Sequence, residues 1–157
     1  MNTNRTFRHF VRVPYAHTDQ MGFVYYANYL VYFEMARAEM LREVGLPYAE
    51  LEKEGIFLPV VEAHCEYKSP AHFDDRLEIS TNCRIQGVRL HVEYQVSREE
   101  ELIVTGHTVH VCVSKELKTT LREDATQWRV MRPPACLQKL ITPADHGNQP
   151  ATFNAQR

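Results

Sequence analysis

The run Tyr15-Ala-His-Thr-Asp-Gln-Met-Gly-Phe-Val-Tyr-Tyr-Ala-Asn-Tyr29 gathers the residue types that could do chemistry in this chain. Asp19 stands a few residues ahead of a stretch with helical spacing. A helix start offers unpaired backbone N–H groups and a partial positive charge. Such an end would stabilise an oxyanion developing on an acyl carbonyl. A carboxylate beside it could attack that carbonyl or activate water against it. Gly22 permits the tight turn that brings backbone close to a ligand. The competing reading of Asp19 is a loop aspartate that caps the helix. His17 could orient the carboxylate or help to move a proton, or it could be a polar loop histidine without a role.

Elsewhere the chemistry is thinner. His107 and His110 lie three apart in a strand-like stretch, so they point to opposite faces and do not form a metal pair. The four cysteines (Cys65, Cys83, Cys112 and Cys136) are far apart and form no Cys-x-x-Cys pair, which argues against zinc or redox chemistry. They read as small, reduced, buried thiols. Glu34 falls on the predicted helix, where it reads as a partner for Arg37.

Positioning Asp19 requires a strand before it and a helix after it. From Phe7 to Tyr15, the residues Phe7, His9, Val11, Val13 and Tyr15 share one face, with Arg8 and Arg12 opposite, as in a short strand. The spacing then predicts a long helix from about Tyr26 to Val44, stopped by Gly45 and Pro47. Its first half is apolar nearly all round, which predicts burial nearly all round. Tyr48 to Glu54 reads as one or two further turns. After Gly55 the period falls to 2. Alternating strands are predicted over Phe57 to Tyr67, Arg76 to Gln86, Leu90 to Val96 and Leu102 to Ser114, with hairpin turns at Gly87 and Glu99 to Glu101. The apolar phase slips near Gly106, which suggests a bulge or bend. A short helix-like stretch is expected over Cys136 to Ile141. Strands with one greasy face describe an antiparallel sheet with one covered side, and the early helix is the long apolar object available to cover it. The expected architecture is α+β: one central helix wrapped by a curved antiparallel sheet of five or six strands. Residues 1–141 form one domain and 142–157 a flexible tail.

The sequence has 157 residues, 44% hydrophobic and 24% charged, which suits one globular domain with one core. The net charge of -2 argues against a nucleic-acid binder. No stretch approaches the roughly 20 apolar residues that span a bilayer, and the amino terminus has no apolar run of signal-peptide length. The chain is therefore expected in the cytoplasm.

The order Thr18-Asp19-Gln20-Met21-Gly22-Phe23-Val24-Tyr25-Tyr26-Ala27-Asn28-Tyr29, continuing to Phe33-Glu34-Met35-Ala36-Arg37, resembles the signature of hotdog-fold thioesterases of the 4-hydroxybenzoyl-CoA thioesterase-like family. The run Tyr67-Lys68-Ser69-Pro70-Ala71-His72-Phe73-Asp74-Asp75 resembles that family's second recurrent stretch. The likeness covers roughly Phe7 to Arg132. It implies an acyl-CoA thioesterase with Asp19 as nucleophile or general base. It implies that the backbone N–H of Tyr26, at the helix start, polarises the thioester carbonyl. Asn28 matches a family position close to the site. Gly22, Ser69 and Arg89 are further candidates for substrate contact, Ser69 from the partner subunit and Arg89 at the CoA phosphates, for which Lys68, Lys115, Lys118 and Arg132 also compete. The resemblance implies a homodimer or homotetramer with shared active sites. It implies no metal and no organic cofactor, CoA being part of the substrate. An acyl-carrier-protein thioesterase and a non-catalytic acyl-CoA-binding hotdog module are the alternatives. Hotdog dehydratases use a His-Phe-Pro type motif, and the pairs His9-Phe10 and His72-Phe73 lack the proline.

Overall fold

The computed structural model describes residues 5–118 and 125–142. The chain runs β1 (Thr6–Arg12), a 3-10 turn (Tyr15–His17), α1 (Asn28–Glu43), α2 (Tyr48–Lys53), β2 (Ile56–Phe57), β3 (Val60–Tyr67), β4 (Arg76–Gln86), β5 (Arg89–Arg98), β6 (Glu101–Val111), β7 (Val113–Lys118), β8 (Ala125–Val130) and a closing 3-10 segment (Ala135–Leu140). Five strands form one antiparallel sheet in the order β1-β4-β5-β6-β3, and β2-β7-β8 form a smaller one. This is the α+β hotdog arrangement expected from the sequence. Beyond residue 142 the expected tail lies outside the described residues.

The alternation in β4 and β5 puts Leu77, Ile79, Cys83, Leu90, Val92 and Val96 into the core against α1. From α1 comes the stripe Tyr29, Tyr32, Phe33, Ala36, Met40 and Leu41. Phe33 stacks on Tyr94 of β5 with ring centroids 4.2 Å apart and planes 3° from parallel. The space for that ring comes from Gly106: a Cβ there would lie 2.4 Å from the His64 carbonyl oxygen and 2.6 Å from the Phe33 ring. Gly106 is therefore not the bulge that its phase slip suggests. It pairs regularly with Tyr94 and Cys65, and the glycine serves close helix–sheet approach. The register shifts fall instead between Val60 and Glu62 and between Val96 and Ser97.

Three further expectations are corrected. α1 is not buried all round: Leu30, Val31 and Met35 are each about two-fifths exposed, because the sheet covers one side of the helix. The Phe57 to Tyr67 stretch is two strands broken at Leu58 and Pro59, and β3 is an edge strand exposed along nearly its whole length. The long final strand breaks at Cys112 into β6 and β7.

Arg37 does not pair with Glu34 but begins a buried polar chain. Its Nε donates to the Tyr48 hydroxyl at 2.7 Å and its Nη1 to the Tyr94 hydroxyl at 3.3 Å. Tyr94 and Thr108 hydroxyls lie 2.9 Å apart, Thr108 Oγ1 lies 2.9 Å from His110 Nε2, and His110 Nδ1 lies 2.9 Å from the Leu58 carbonyl oxygen. A carbonyl only accepts, so His110 carries a proton on Nδ1; burial keeps the ring neutral, and Nε2 then accepts from Thr108, which in turn accepts from Tyr94. All four cysteines are free thiols, and burial pushes that of Cys83 up to about 12.

Two outcomes follow from this packing. Gly106→Ala forces a backbone oxygen or a stacked ring to move and is expected to cost about 1–3 kcal/mol in urea unfolding. Burial lowers the His110 pKa from 6.5 to about 4, only partly offset by the Leu58 carbonyl. Between those values the unfolded chain takes up a proton that the folded chain refuses, so stability falls as pH drops through that window, by about 3 kcal/mol in all. Denaturant titrations from pH 7 to pH 4 should show that loss, and His110→Gln, less stable at pH 7, should show a shallower one.

Candidate active site

Between β1 and α1 the chain closes a small turn around Asp19. Thr18 and Val24 pair as an isolated bridge, and the Asp19 N–H donates to the Phe23 carbonyl at 2.9 Å. The Gly22 N–H returns to the Asp19 carbonyl at 2.9 Å, with Gly22 at φ +79°, the left-handed region that glycine adopts without strain. Asp19 Oδ1 accepts the Met21 N–H at 2.8 Å, so one oxygen is fixed by its own turn. Oδ2 has no partner among the described residues. The carboxylate does not cap α1, whose N-cap is Ala27 with no side-chain hydrogen bond.

The turn is tied to the helix start. The Tyr25 N–H donates to the His17 carbonyl at 2.8 Å, and Asn28 Nδ2 donates to the same oxygen at 3.0 Å. Asn28 therefore fixes the loop from behind and does not line the cavity. The His17 ring does not line the cavity, and its Nδ1 lies 2.9 Å from the buried Tyr32 hydroxyl. The Asn28 N–H donates to the Tyr25 carbonyl at 2.9 Å. The Tyr26 N–H, one position along, has no acceptor among the described residues, as a first-turn amide would. The Tyr67 hydroxyl donates to the Tyr26 carbonyl at 3.2 Å, fixing the peptide that follows.

Asp19, Tyr26 and Ser69 share a cavity of about 420 Å³, walled also by Phe23, Tyr29 and Tyr67. Asp19 is its one carboxylate among the described residues, and Lys68, paired with Glu66 at 2.5 Å, its one cation. Burial pushes the Tyr29 and Tyr67 hydroxyls up to about 12, so both remain neutral donors at ordinary pH. The Tyr25 hydroxyl is raised too, first by its bond to Tyr26 and least by the nearby Asp19 charge. The aromatic density of the sequence thus divides: Tyr32 and Phe33 are core, whereas Tyr25, Tyr26 and Tyr67 border the cavity. The bond from Tyr67 to the helix start has no sequence signal beyond its place in the second recurrent stretch.

Arg89 is elsewhere. It opens β5 opposite Val111, at the end of the sheet where β3 begins at Val60, whereas the cavity lies where β3 ends at Tyr67. A larger cavity of about 650 Å³ lies beside α2, with Glu34, Arg37, Tyr48 and Trp128 among its walls. None of Asp19, Gly22, Tyr26, Asn28 or Ser69 lines it. No group of three or more possible metal ligands occurs among the described residues, and no helix among them is long and apolar enough to cross a membrane.

The sequence profile of the thioesterase-like superfamily matches residues 13–140. The chain is 38% identical over 115 residues to the acyl-CoA thioester hydrolase YbgC of Escherichia coli, covering 72% of this chain and 85% of that one. It is similar to the crystal structure of a 1,4-dihydroxy-2-naphthoyl-CoA thioesterase from Synechocystis, with a TM-score of 0.73, 27% identity, and coverage of 90% of this chain and 99% of that one. A structure of 4-hydroxybenzoyl-CoA thioesterase shares the fold with a TM-score of 0.75 at 21% identity, covering 88% of this chain and 99% of that one.

Proposed function

The chain belongs to the thioesterase-like superfamily and is an acyl-CoA thioesterase; from that premise we propose that Asp19 is its catalytic carboxylate and the Tyr26 N–H its oxyanion donor. The observation that carries this reading is their meeting in one cavity, each with unused hydrogen-bonding capacity. The bond from Met21 fixes one carboxylate oxygen and leaves the other for chemistry. Asp19 either attacks the carbonyl carbon itself or takes a proton from an attacking water. In both routes negative charge moves onto the carbonyl oxygen, where an amide at the positive end of α1 gains strength as the charge grows. The C–S bond then breaks and CoA leaves as its thiol. Gly22 shapes the turn, Asn28 holds it to the helix, and Ser69, expected from the partner subunit, stands in the cavity wall of the same chain with its hydroxyl donated to Glu101.

The active unit in this reading is a homodimer. β3 presents an unpaired edge with Val60, Val61 and Tyr67 about half exposed, beside the greasy outer stripe of α1, Leu30, Val31 and Met35. An open edge of this kind is a template for pairing with another strand. Antiparallel pairing of β3 with its copy places the Val60 end of one chain against the Tyr67 end of the other. That brings the partner's Arg89 toward the Asp19 cavity, where it adds a second cation to Lys68 for the CoA phosphates.

Two measurements test this. On a panel of acyl-CoAs with free-thiol detection, Asp19→Asn is expected to lower kcat by about 10³-fold or more while retaining acyl-CoA binding; wild-type turnover in that variant would remove Asp19 from the mechanism. Val61→Lys, which charges the free edge, is expected to shift the molecule to monomer in sedimentation and to lower kcat/KM at least about tenfold. A fully active monomer would contradict the shared site.

A further inference from the structure

The wall of the cavity opposite Asp19 is a loop, 69–75, whose conformation needs outside support. Pro70 lies in it, and Asp74 sits at φ +68°, a region that a non-glycine residue enters at a cost. Its middle supports the Asp19 turn. The Ala71 carbonyl accepts the Val24 N–H at 2.8 Å, and Phe23 pairs with His72 as an isolated bridge, their rings meeting edge to face at 5.4 Å. Ala71 also hydrogen-bonds the Tyr29 hydroxyl through its backbone. Phe23 and Val24 lead directly into Tyr25 and Tyr26, so any displacement of 71–72 travels two residues to reach the Tyr26 N–H.

Both ends of this loop converge on one guanidinium. Arg98, the last residue of β5, reaches Asp75 Oδ2 with Nη1 at 2.5 Å and Glu101 Oε2 with Nη2 at 2.5 Å. Asp75 Oδ2 also accepts the His72 N–H at 2.8 Å, and the Ser69 hydroxyl donates to Glu101 Oε1. Asp75 and Arg98 are each less than a third exposed, so the pair is partly shielded from solvent. Against the cost of burying it, the bonds from His72 and Arg98 hold the Asp75 carboxyl below its usual range. The bonds from Ser69 and then Arg98 do the same for Glu101. A planar fork with two donor faces joins two carboxylates in a way that a lysine ammonium does not reproduce.

We propose that Arg98 is a positioning residue for the hydrolysis: by joining Asp75 to Glu101 it fixes both ends of the 69–75 loop, and through Ala71 and His72 it sets where the Tyr26 N–H stands relative to Asp19. The proposal rests on the assignment of Asp19 and Tyr26 above. Arg98 touches no substrate, and its effect falls on the transition state rather than on ground-state binding. Displacement of a reacting group by about 1 Å costs on the order of a hundredfold in rate.

The test compares wild type, Arg98→Met, Arg98→Lys and the control Arg84→Met, which breaks an ion pair with Glu93 on the outer sheet face. Each is assayed well below its melting temperature and normalised to folded protein. Arg98→Met is expected to lower kcat at least about tenfold with KM changed less than about threefold. Arg98→Lys, holding one carboxylate, should fall between it and wild type, and Arg84→Met should match wild type. Amide hydrogen exchange across 69–75 should quicken in Arg98→Met and not in Arg84→Met. Unchanged kcat, or unchanged exchange across 69–75, in Arg98→Met would overturn the clip while leaving Asp19 in place. Wild-type protein that hydrolyses no acyl-CoA would overturn the thioesterase reading and the clip together.

Discussion

The depth at which α1 sits on the sheet governs where everything else can be. Phe33 lies flat on Tyr94 in a notch that exists because position 106 carries no side chain. A flat stack at 4.2 Å leaves no slack for the helix to rise or slide. Tyr29, Tyr32, Ala36, Met40 and Leu41 then follow at helical spacing into the same seam. Once the seam is fixed, so is the point where the helix begins. Its first amides open at the end of β3, beside Tyr67, and the preceding turn has Asp19 to set against them.

The geometry beside that helix start is built from hydrogen bonds that are individually worth only about 1 kcal/mol. Their number makes the turn stiff. Asp19 is held by Phe23, Gly22 and Met21, the returning arm by His17 and Ala71, and the helix start by Asn28 and Tyr67. Among the groups left with unused capacity are an Asp19 carboxylate oxygen and the Tyr26 amide, the pair to which the proposed mechanism gives the roles of base or nucleophile and oxyanion donor. The polar chain from Arg37 to His110 is different in kind. It is buried from Tyr94 to His110, and it ties α1 through β5 and β6 to the Leu58 segment.

Much of this was legible in the sequence, and the reasons for the remainder are physical. The period-2 alternation of β4 and β5 marks their core faces directly, because one face meets α1 and the other meets solvent. The limits of α1 were read within about two residues from Gly45, Pro47 and the spacing of its apolar residues. Hydrophobic pattern tells which residues avoid water, however, and not what covers them. Leu30, Val31 and Met35 were therefore assigned to a core that this chain does not provide. The strand Ala125–Val130 was not read at all, being short and without sustained alternation. At the site, Asp19, Gly22 and Tyr26 were visible because they lie in one contiguous run, and Ser69 because it lies in another. The Arg98 clip was not, because its partners sit 23 residues before it and three after it, and an arginine beside Glu99 to Glu101 reads as an ordinary solvated turn.

The central claim is a matter of atomic placement, so a crystal structure of the Asp19→Asn protein with a bound acyl-CoA tests it most directly. The account predicts the thioester carbonyl oxygen within about 3 Å of the Tyr26 nitrogen, with its carbon facing the side chain at position 19. A thioester lodged instead in the larger cavity beside Arg37 and Tyr48, away from the start of α1, would contradict it.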